Sequence, residues 1–183
     1  IISLFHPVAR LDCTFSPSYE DDMLKSATLQ DLSFIYERCL QESRRYIFNP
    51  RISETIIQRF LFKRELKNII QKKKRLSCEL KAEAFILWKE DVRIGFSIIS
   101  EDLNGDTELW LIALSDRYRC QGLGLLLTQL TLKYLSDKNR CIYARCKYSA
   151  ANMISILRGC GFSLRVYDDD IQIFSLSQNK RGG

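Results

Sequence analysis

Histidine is almost missing from this chain of 183 residues: His6, near the N-terminus, is the only one. A Ser-His-Asp or Cys-His site needs a histidine placed by the fold, so most hydrolase chemistries are removed at the outset. Proline (three) and glycine (eight) are scarce too, which excludes collagen-like and linker-dominated architectures. No apolar run approaches the roughly 18 residues a membrane helix needs. The uncharged stretch Gly122 to Leu132 is interrupted by Thr128, Gln129 and Thr131. The seven cysteines are odd in number and form no CxxC pair, so neither a disulfide framework nor a zinc site is suggested. Cys39, Cys141 and Cys160 fall inside apolar patterns and read as small buried hydrophobes. A reducing compartment, the cytoplasm, fits that usage. The opening IISLFHPVARLDC has no basic region ahead of a long apolar block and does not read as a signal peptide.

Apolar residues make up 46% and charged residues 27%, the balance of a globular domain with one good core. The net charge of +6 is concentrated. Between Arg59 and Arg75 lie eight basic residues (Arg59, Lys63, Arg64, Lys67, Lys72, Lys73, Lys74 and Arg75) and a single acid, Glu65. Two readings are open for this segment: a surface for an acidic partner, or an ordinary solvated helix face. Four- and seven-residue steps make Lys63, Lys67 and Lys74 candidates for one stripe.

Residues 1–22 read as an extension, 23–178 as the organised domain and 179–183 as a tail. Met23 to Ala27 is predicted as a short strand. Thr28 and Asp31 resemble a capping box ahead of Leu32, Ile35, Tyr36, Cys39 and Leu40 at helical spacing. After a break at Phe48-Asn49-Pro50, one or two helices are expected from about Ser53 to Lys74. Their apolar face would be Ile56, Ile57, Phe60, Leu61, Leu66 and Ile69-Ile70. The period then becomes strand-like: Ala84 to Trp88, Val92 to Ser100, and Thr107 to Leu114 after the hairpin signal Asn104-Gly105-Asp106. A helix follows Gly122 to about Leu135. Then come a strand Cys141 to Cys146, a helix Ala150 to Gly159, and strands Phe162 to Tyr167 and Ile171 to Leu176. The order β-α-α-β-β-β-α-β-α-β-β predicts an α/β domain with a mixed sheet and helices on its faces.

The chemistry is concentrated in Leu114-Ser-Asp-Arg-Tyr-Arg119-Cys-Gln-Gly122-Leu-Gly124, between a buried strand and an apolar helix. The first turn of a helix leaves N–H groups unsatisfied and carries a positive dipole end, which suits phosphate oxygens. Gly122 and Gly124 remove side chains where a ligand would approach, and Arg117 and Arg119 add positive charge. The dinucleotide fingerprint is excluded, because Leu127 stands where its third glycine belongs. A carboxylate at Glu108, on a strand otherwise made of Leu109, Leu111, Ile112 and Leu114, would gain proton affinity by burial. It could then act as a base towards an ammonium group. Alternatively it faces solvent beside the hairpin.

Arg119-x-x-Gly122-x-Gly124 resembles the acyl-CoA pyrophosphate loop of the GNAT acyltransferase superfamily. Ser26-Ala-Thr-x-x-Asp-Leu-x-x-Ile35, Val92-Arg-Ile-Gly95-Phe96 and Asn152 through Cys160-Gly161-Phe162 resemble its first strand and helix, third strand and late helix, in family order. The resemblance implies a GNAT-like, mostly antiparallel sheet with helices on both faces, and acetyl-CoA as donor with CoA as product. It implies pantetheine contacts from the backbone of Ile112, Ala113 and Leu114. It also implies a pyrophosphate cradle from the amides of Arg119, Cys120, Gln121, Gly122, Leu123 and Gly124. Asn152 matches a helix-start residue that touches the cofactor, or is a plain N-cap. Glu108 matches the offset of the catalytic glutamate of histone-type members.

One departure stands out: the Tyr that many members use to protonate the leaving thiolate is Leu157 here. Tyr148 is the nearest hydroxyl by sequence that would substitute, unless it serves packing. The missing Tyr counts against the tRNA-targeting toxins of the superfamily. The expected activity is transfer of an acetyl group to an amine (protein lysine, N-terminus or small amine) by direct attack, with no metal. The acceptor is expected to be acidic if the basic segment recruits it. Aminoacyl-tRNA acetylation and a non-catalytic acyl-CoA sensor that binds a partner protein are the alternatives. No membrane partner is expected, and the chain would be a monomer or homodimer.

Overall fold

A computed structural model describes residues 23–136, 141–168 and 170–176. The expected extension 1–22 and tail 179–183 lie outside them. Seven strands form one sheet: β1 (Leu24–Ser26), β2 (Ala82–Lys89), β3 (Val92–Glu101), β4 (Thr107–Leu114), β5 (Ile142–Lys147), β6 (Ser163–Asp168) and β7 (Ile171–Leu176), in the order β1-β2-β3-β4-β5-β7-β6. All neighbours are antiparallel except β4 and β5. The helices are α1 (Leu32–Arg44), α2 (Arg51–Glu54), α3 (Ile56–Lys72), α4 (Leu123–Leu135) and α5 (Ala151–Gly159). The mixed, mostly antiparallel sheet with helices on both faces is the fold class expected above. Among the described residues, no helix is long and apolar enough to cross a membrane.

Strand alternation divides the core. On one face Ile86, Phe96, Ile98, Leu111 and Ala113 pack against Ile35 and Cys39 of α1 and Phe62, Leu66 and Ile69 of α3. On the other, Ile142, Ala144, Cys146 and Phe174 pack with Leu135 of α4 and Leu157 of α5. Thr28 and Asp31 do form the expected capping box: the Asp31 carboxylate accepts from Thr28 N at 2.7 Å and Thr28 Oγ1 at 2.9 Å. It also takes Arg93 Nε at 2.5 Å, which ties the entry of α1 to β3.

The predicted apolar face of the Ser53–Lys74 region needs correction. Ile56, Ile57, Phe60 and Leu61 are 83, 71, 66 and 52% exposed, while Phe62, Leu66 and Ile69 are buried. At about 100° per residue, positions 62, 66 and 69 share one side of α3 and positions 56 and 60 lie opposite. Leu66 and Ile69 follow the expectation; the first turn and a half faces outward. Lys63, Arg64, Lys67, Lys72 and Lys74 are exposed as well. Lys74, however, lies beyond the left-handed C-cap Lys73 (φ 52°) and so is not on the helix. Three of the other cations are engaged: Arg59 donates to Ser53 O, Lys73 pairs with Glu83, and Arg75 pairs with Glu65.

Candidate active site

The site follows from a gap in the sheet. β4 has eight residues and β5 six, yet they pair only through Thr107 with Ile142 and Glu108 with Tyr143. Beyond that point β4 continues to pair with β3 alone, as in Ile112 with Ser97, Ala113 with Phe96 and Leu114 with Gly95. Among the described residues, its other edge, facing the opening towards β5, therefore carries backbone groups with no strand partner. Such an edge can pair with an extended ligand. Ile112, Ala113 and Leu114 sit on that stretch. The opening lies at the carboxyl ends of two parallel strands, the usual ligand crevice of an open α/β sheet.

At its far end the chain turns into α4. Cys120 (φ 58°) and Gly122 (φ 76°) both take left-handed backbone, bracketing Gln121. Alternation of this kind turns successive N–H groups towards one point, an anion-binding concavity. The first turn of α4 contributes its orphan donors. Among the described residues, the amides of Cys120, Gln121, Gly122, Leu123, Gly124 and Leu125 find no acceptor; the first bonded one is Leu126 N, to Gly122 O at 3.1 Å. The amide of Arg119 is not in this set, because it donates to Asp116 O at 3.1 Å. Of the predicted cradle, Arg119 is thus the member whose N–H is already engaged within the protein.

Its side chain has another task. The Arg119 guanidinium pairs with the buried carboxylate of Glu42, near the C-terminus of α1, and with Asp116 at 3.2 Å. Arg45 holds Asp116 through two bonds of 2.7 and 2.9 Å. The Arg45 contact, more than those of Gln41 and Arg119, holds the Asp116 carboxyl down to about 2 against the partial desolvation that opposes it. Residues 115–119 are thus bolted to α1. This network was not anticipated from the sequence, since its members are 71 to 77 residues apart.

The two glycines differ in purpose. A Cβ on Gly122 would meet nothing within 4 Å, so the position opens onto space and is glycine for its positive φ. A Cβ on Gly124 would come within 2.9 Å of Ile156 Cδ1. Gly124 lets α5 approach α4, a packing role beside the ligand approach expected above.

Glu108 lies at the closed end of the opening, where the strands last pair. It is buried, as the first reading required, and it is not in purely apolar surroundings. Arg145 on β5 grips both of its oxygens, Nε to Oε1 at 2.7 Å and Nη2 to Oε2 at 2.9 Å. Sequence reasoning missed Arg145; the signal was its alternation with the core residues Ala144 and Cys146, which puts it on the opposite face. Tyr143 shares that face. Burial first, then the Glu108 and Asp102 carboxylates, pushes its phenol up to about 12. Two residues past Glu108, a bulge in β4 between the partners of Ile98 and Ile99 leaves Trp110 unpaired. Trp110 and Leu111 consequently pack on the same side of the sheet. The Arg75 guanidinium stacks 3.8 Å over Trp110 while pairing with buried Glu65.

The other candidates are more peripheral. Tyr148 follows the end of β5 and is exposed. Asn152 is the second residue of α5 and exposed; the N-cap is Ala150, so the capping alternative falls. Leu157 is fully buried between α5 and the sheet.

The sequence profile of the Acetyltransferase (GNAT) family matches residues 50–162. No curated protein sequence matches the chain. Among solved structures, the PaiA N-acetyltransferase of Thermoplasma acidophilum, in complex with coenzyme A, is 18% identical; the match covers 83% of this chain and 96% of that one, with a TM-score of 0.67. The GNAT-family acetyltransferase of Streptococcus pneumoniae is 15% identical over 84% and 97% of the two chains (TM-score 0.64). The spermidine N-acetyltransferase of Vibrio cholerae, in complex with CoA and spermine, is 15% identical over 84% and 93% (TM-score 0.64). A profile match over more than half the sequence, on this split sheet with its amide-lined turn, makes the chain a member of the GNAT acetyltransferase family.

Proposed function

We propose that this protein is an acetyl-CoA-dependent N-acetyltransferase that acts on an amine by direct attack. The observation that carries the reading is the run of unpaired amides from Cys120 to Leu125, at the mouth of the opening between β4 and β5. Their geometry suits a diphosphate: several converging N–H donors, a helix dipole, and open space at Gly122. Cys120, Gln121, Gly122, Leu123 and Gly124 would hold the pyrophosphate through their backbones. The edge of β4 at Ile112 to Leu114, which lacks a strand partner and on which Leu114 O takes a long 3.4 Å bond from Arg119 Nη2, would take the amide-bearing pantetheine arm. Bound acetyl-CoA supplies an activated acetyl thioester.

The rest of the chemistry falls to this chain. Glu108 is the proton acceptor for the amine, buried close to the opening, once Arg145 has released it. Tyr148, at the exposed end of β5, is the candidate proton donor. The bulge at Trp110 leaves one β4 residue out of the β3 register two residues past Glu108.

The exposed cations Lys63, Arg64, Lys67, Lys72 and Lys74 support a second reading, in which the amine belongs to an aminoacyl-tRNA. The deciding experiment is a thermal melt with and without CoA, followed by mass spectrometry of amine acceptors incubated with acetyl-CoA. Stabilisation with acetylated product supports the enzyme. Stabilisation with no product from protein, small-amine or aminoacyl-tRNA acceptors supports an acyl-CoA sensor. No response to CoA overturns both.

A further inference from the structure

Arg145 occupies the solvent side of Glu108. The Glu108 side chain is 7% exposed, whereas the arginine side chain is 50% exposed and lies two residues beyond the last β4–β5 pair. It reaches back over the start of the opening to cover both carboxylate oxygens. An amine approaching Glu108 therefore meets a cation first. A simple ammonium would have to displace Arg145 and then leave that guanidinium beside it without a partner, two like charges around one carboxylate. Such crowding is costly in a partly buried site.

An acceptor with its own carboxylate removes the difficulty. The guanidinium fork matches a carboxylate in bidentate fashion, and Arg145 already shows that geometry towards Glu108. If the acceptor's carboxylate replaces Glu108 on Arg145, and its ammonium replaces Arg145 on Glu108, one ion pair becomes two. No charge is left unpaired. Arg75, which stacks on Trp110 two residues along β4 from Glu108, is already engaged by Glu65.

We propose that Arg145 is the specificity-determining residue of this site, and that it selects zwitterionic acceptors: an ammonium with a carboxylate a few bonds away. The proposal rests on the acetyltransferase reading and narrows its substrate. Free α-amino acids and peptides with an acidic first residue share this chemistry. The exchange also accounts for how the base is unmasked. With Arg145 drawn onto the substrate, a proton passes from the ammonium nitrogen to a Glu108 oxygen, leaving a neutral amine and a neutral carboxyl. An aminoacyl ester of tRNA, whose carboxyl is esterified, does not meet the requirement.

The test uses acceptors matched except for the carboxylate: alanine against ethylamine, phenylalanine against phenethylamine, and peptides opening with Asp or Glu against Asn or Gln. Binding to the CoA-loaded protein is measured by calorimetry, and kcat/KM with acetyl-CoA. The unmutated protein should prefer the carboxylate member by roughly 10- to 100-fold. Arg145→Gln should bring that ratio close to one, and Arg145→Lys should restore part of it, with CoA-dependent thermal stabilisation kept in both. Preference confined to amino acids, or to acidic peptides, identifies the source and supports the proposal. Equal or better use of the plain amines by the unmutated protein overturns it, even if Arg145→Gln fails to fold. So does a ratio unchanged in Arg145→Gln. A flat panel with CoA bound sinks this inference alone; absence of CoA binding sinks the acetyltransferase reading and this inference with it.

Discussion

Arg119 and Glu42 form an ion pair that joins the turn before α4 to the end of α1, with the Glu42 carboxylate buried. Both hold the segment that presents the unpaired amides. Arg119→Met would leave Glu42 with Arg45 at 3.4 Å as its remaining ion-pair partner. The variant should lose about 1–3 kcal/mol of stability, the scale for stranding a buried polar group. Its affinity for CoA should fall as well. The double variant Glu42→Met/Arg119→Met should recover much of the stability, because no charge is then buried alone. Chemical denaturation of the four proteins in this cycle checks the coupling.

Gly122→Glu places a side chain and a negative charge at the anion cradle. The added Cβ meets nothing in the protein, so the fold should survive. A left-handed non-glycine residue should cost about 1–2 kcal/mol. Stabilisation by CoA should vanish, and Gly122→Ala should weaken it less. Melting curves with and without CoA give the answer; full CoA response in a folded Gly122→Glu protein would contradict the cradle.

Glu108→Gln should lower the acetylation rate by roughly 10²- to 10⁴-fold if the carboxylate takes the proton. CoA affinity should change little, and the acid limb of the pH–rate profile should disappear. Near-normal turnover at neutral pH would assign Glu108 to structure, as the partner that keeps Arg145 in place.

Acid should loosen the α1 clamp through Asp116. Its carboxyl is held down to about 2, first by the Arg45 hydrogen bonds, against an ordinary value of 3.8. A depressed folded-state value contributes stability above the unfolded-state value, and that contribution is lost as pH falls through the window from 3.8 towards about 2. Asp116→Asn should melt slightly lower than the unmutated protein at pH 6, since a half-exposed pair is worth about 1 kcal/mol at most. The difference should shrink as pH falls through that window. Melting temperature against pH for both proteins checks the sign.

Reversal of Lys63 and Lys67 to Glu should raise KM for an acidic peptide acceptor with little change in kcat at saturation. Added salt should reproduce the effect in the unmutated protein. For a free amino acid, both changes should leave the kinetics nearly as they were. A tRNA acceptor would instead show a steep log–log salt slope. Initial rates over a salt series separate the three.

The local pattern of the chain was enough to locate the seven strands to within a few residues, the capping box of Thr28 and Asp31, the hairpin at Gly105 and the start of α4 after Gly122. These features rest on periodicity, capping and backbone sterics among neighbours, which a sequence carries directly. It also marked Arg119 to Gly124 as a candidate anion turn, since orphan amides at a helix start need no distant partner. What only the tertiary structure decided involves residues far apart in the chain. The separation of β4 from β5 after Glu108, the grip of Arg145 on Glu108 across 37 residues, and the use of Gly124 to admit Ile156 depend on which elements become neighbours. The outward turn of Ile56 and Phe60 depends on where α3 meets the sheet. Charge and packing act through space, so a carboxylate on an apolar strand reads as a solitary base until the fold brings an arginine to it.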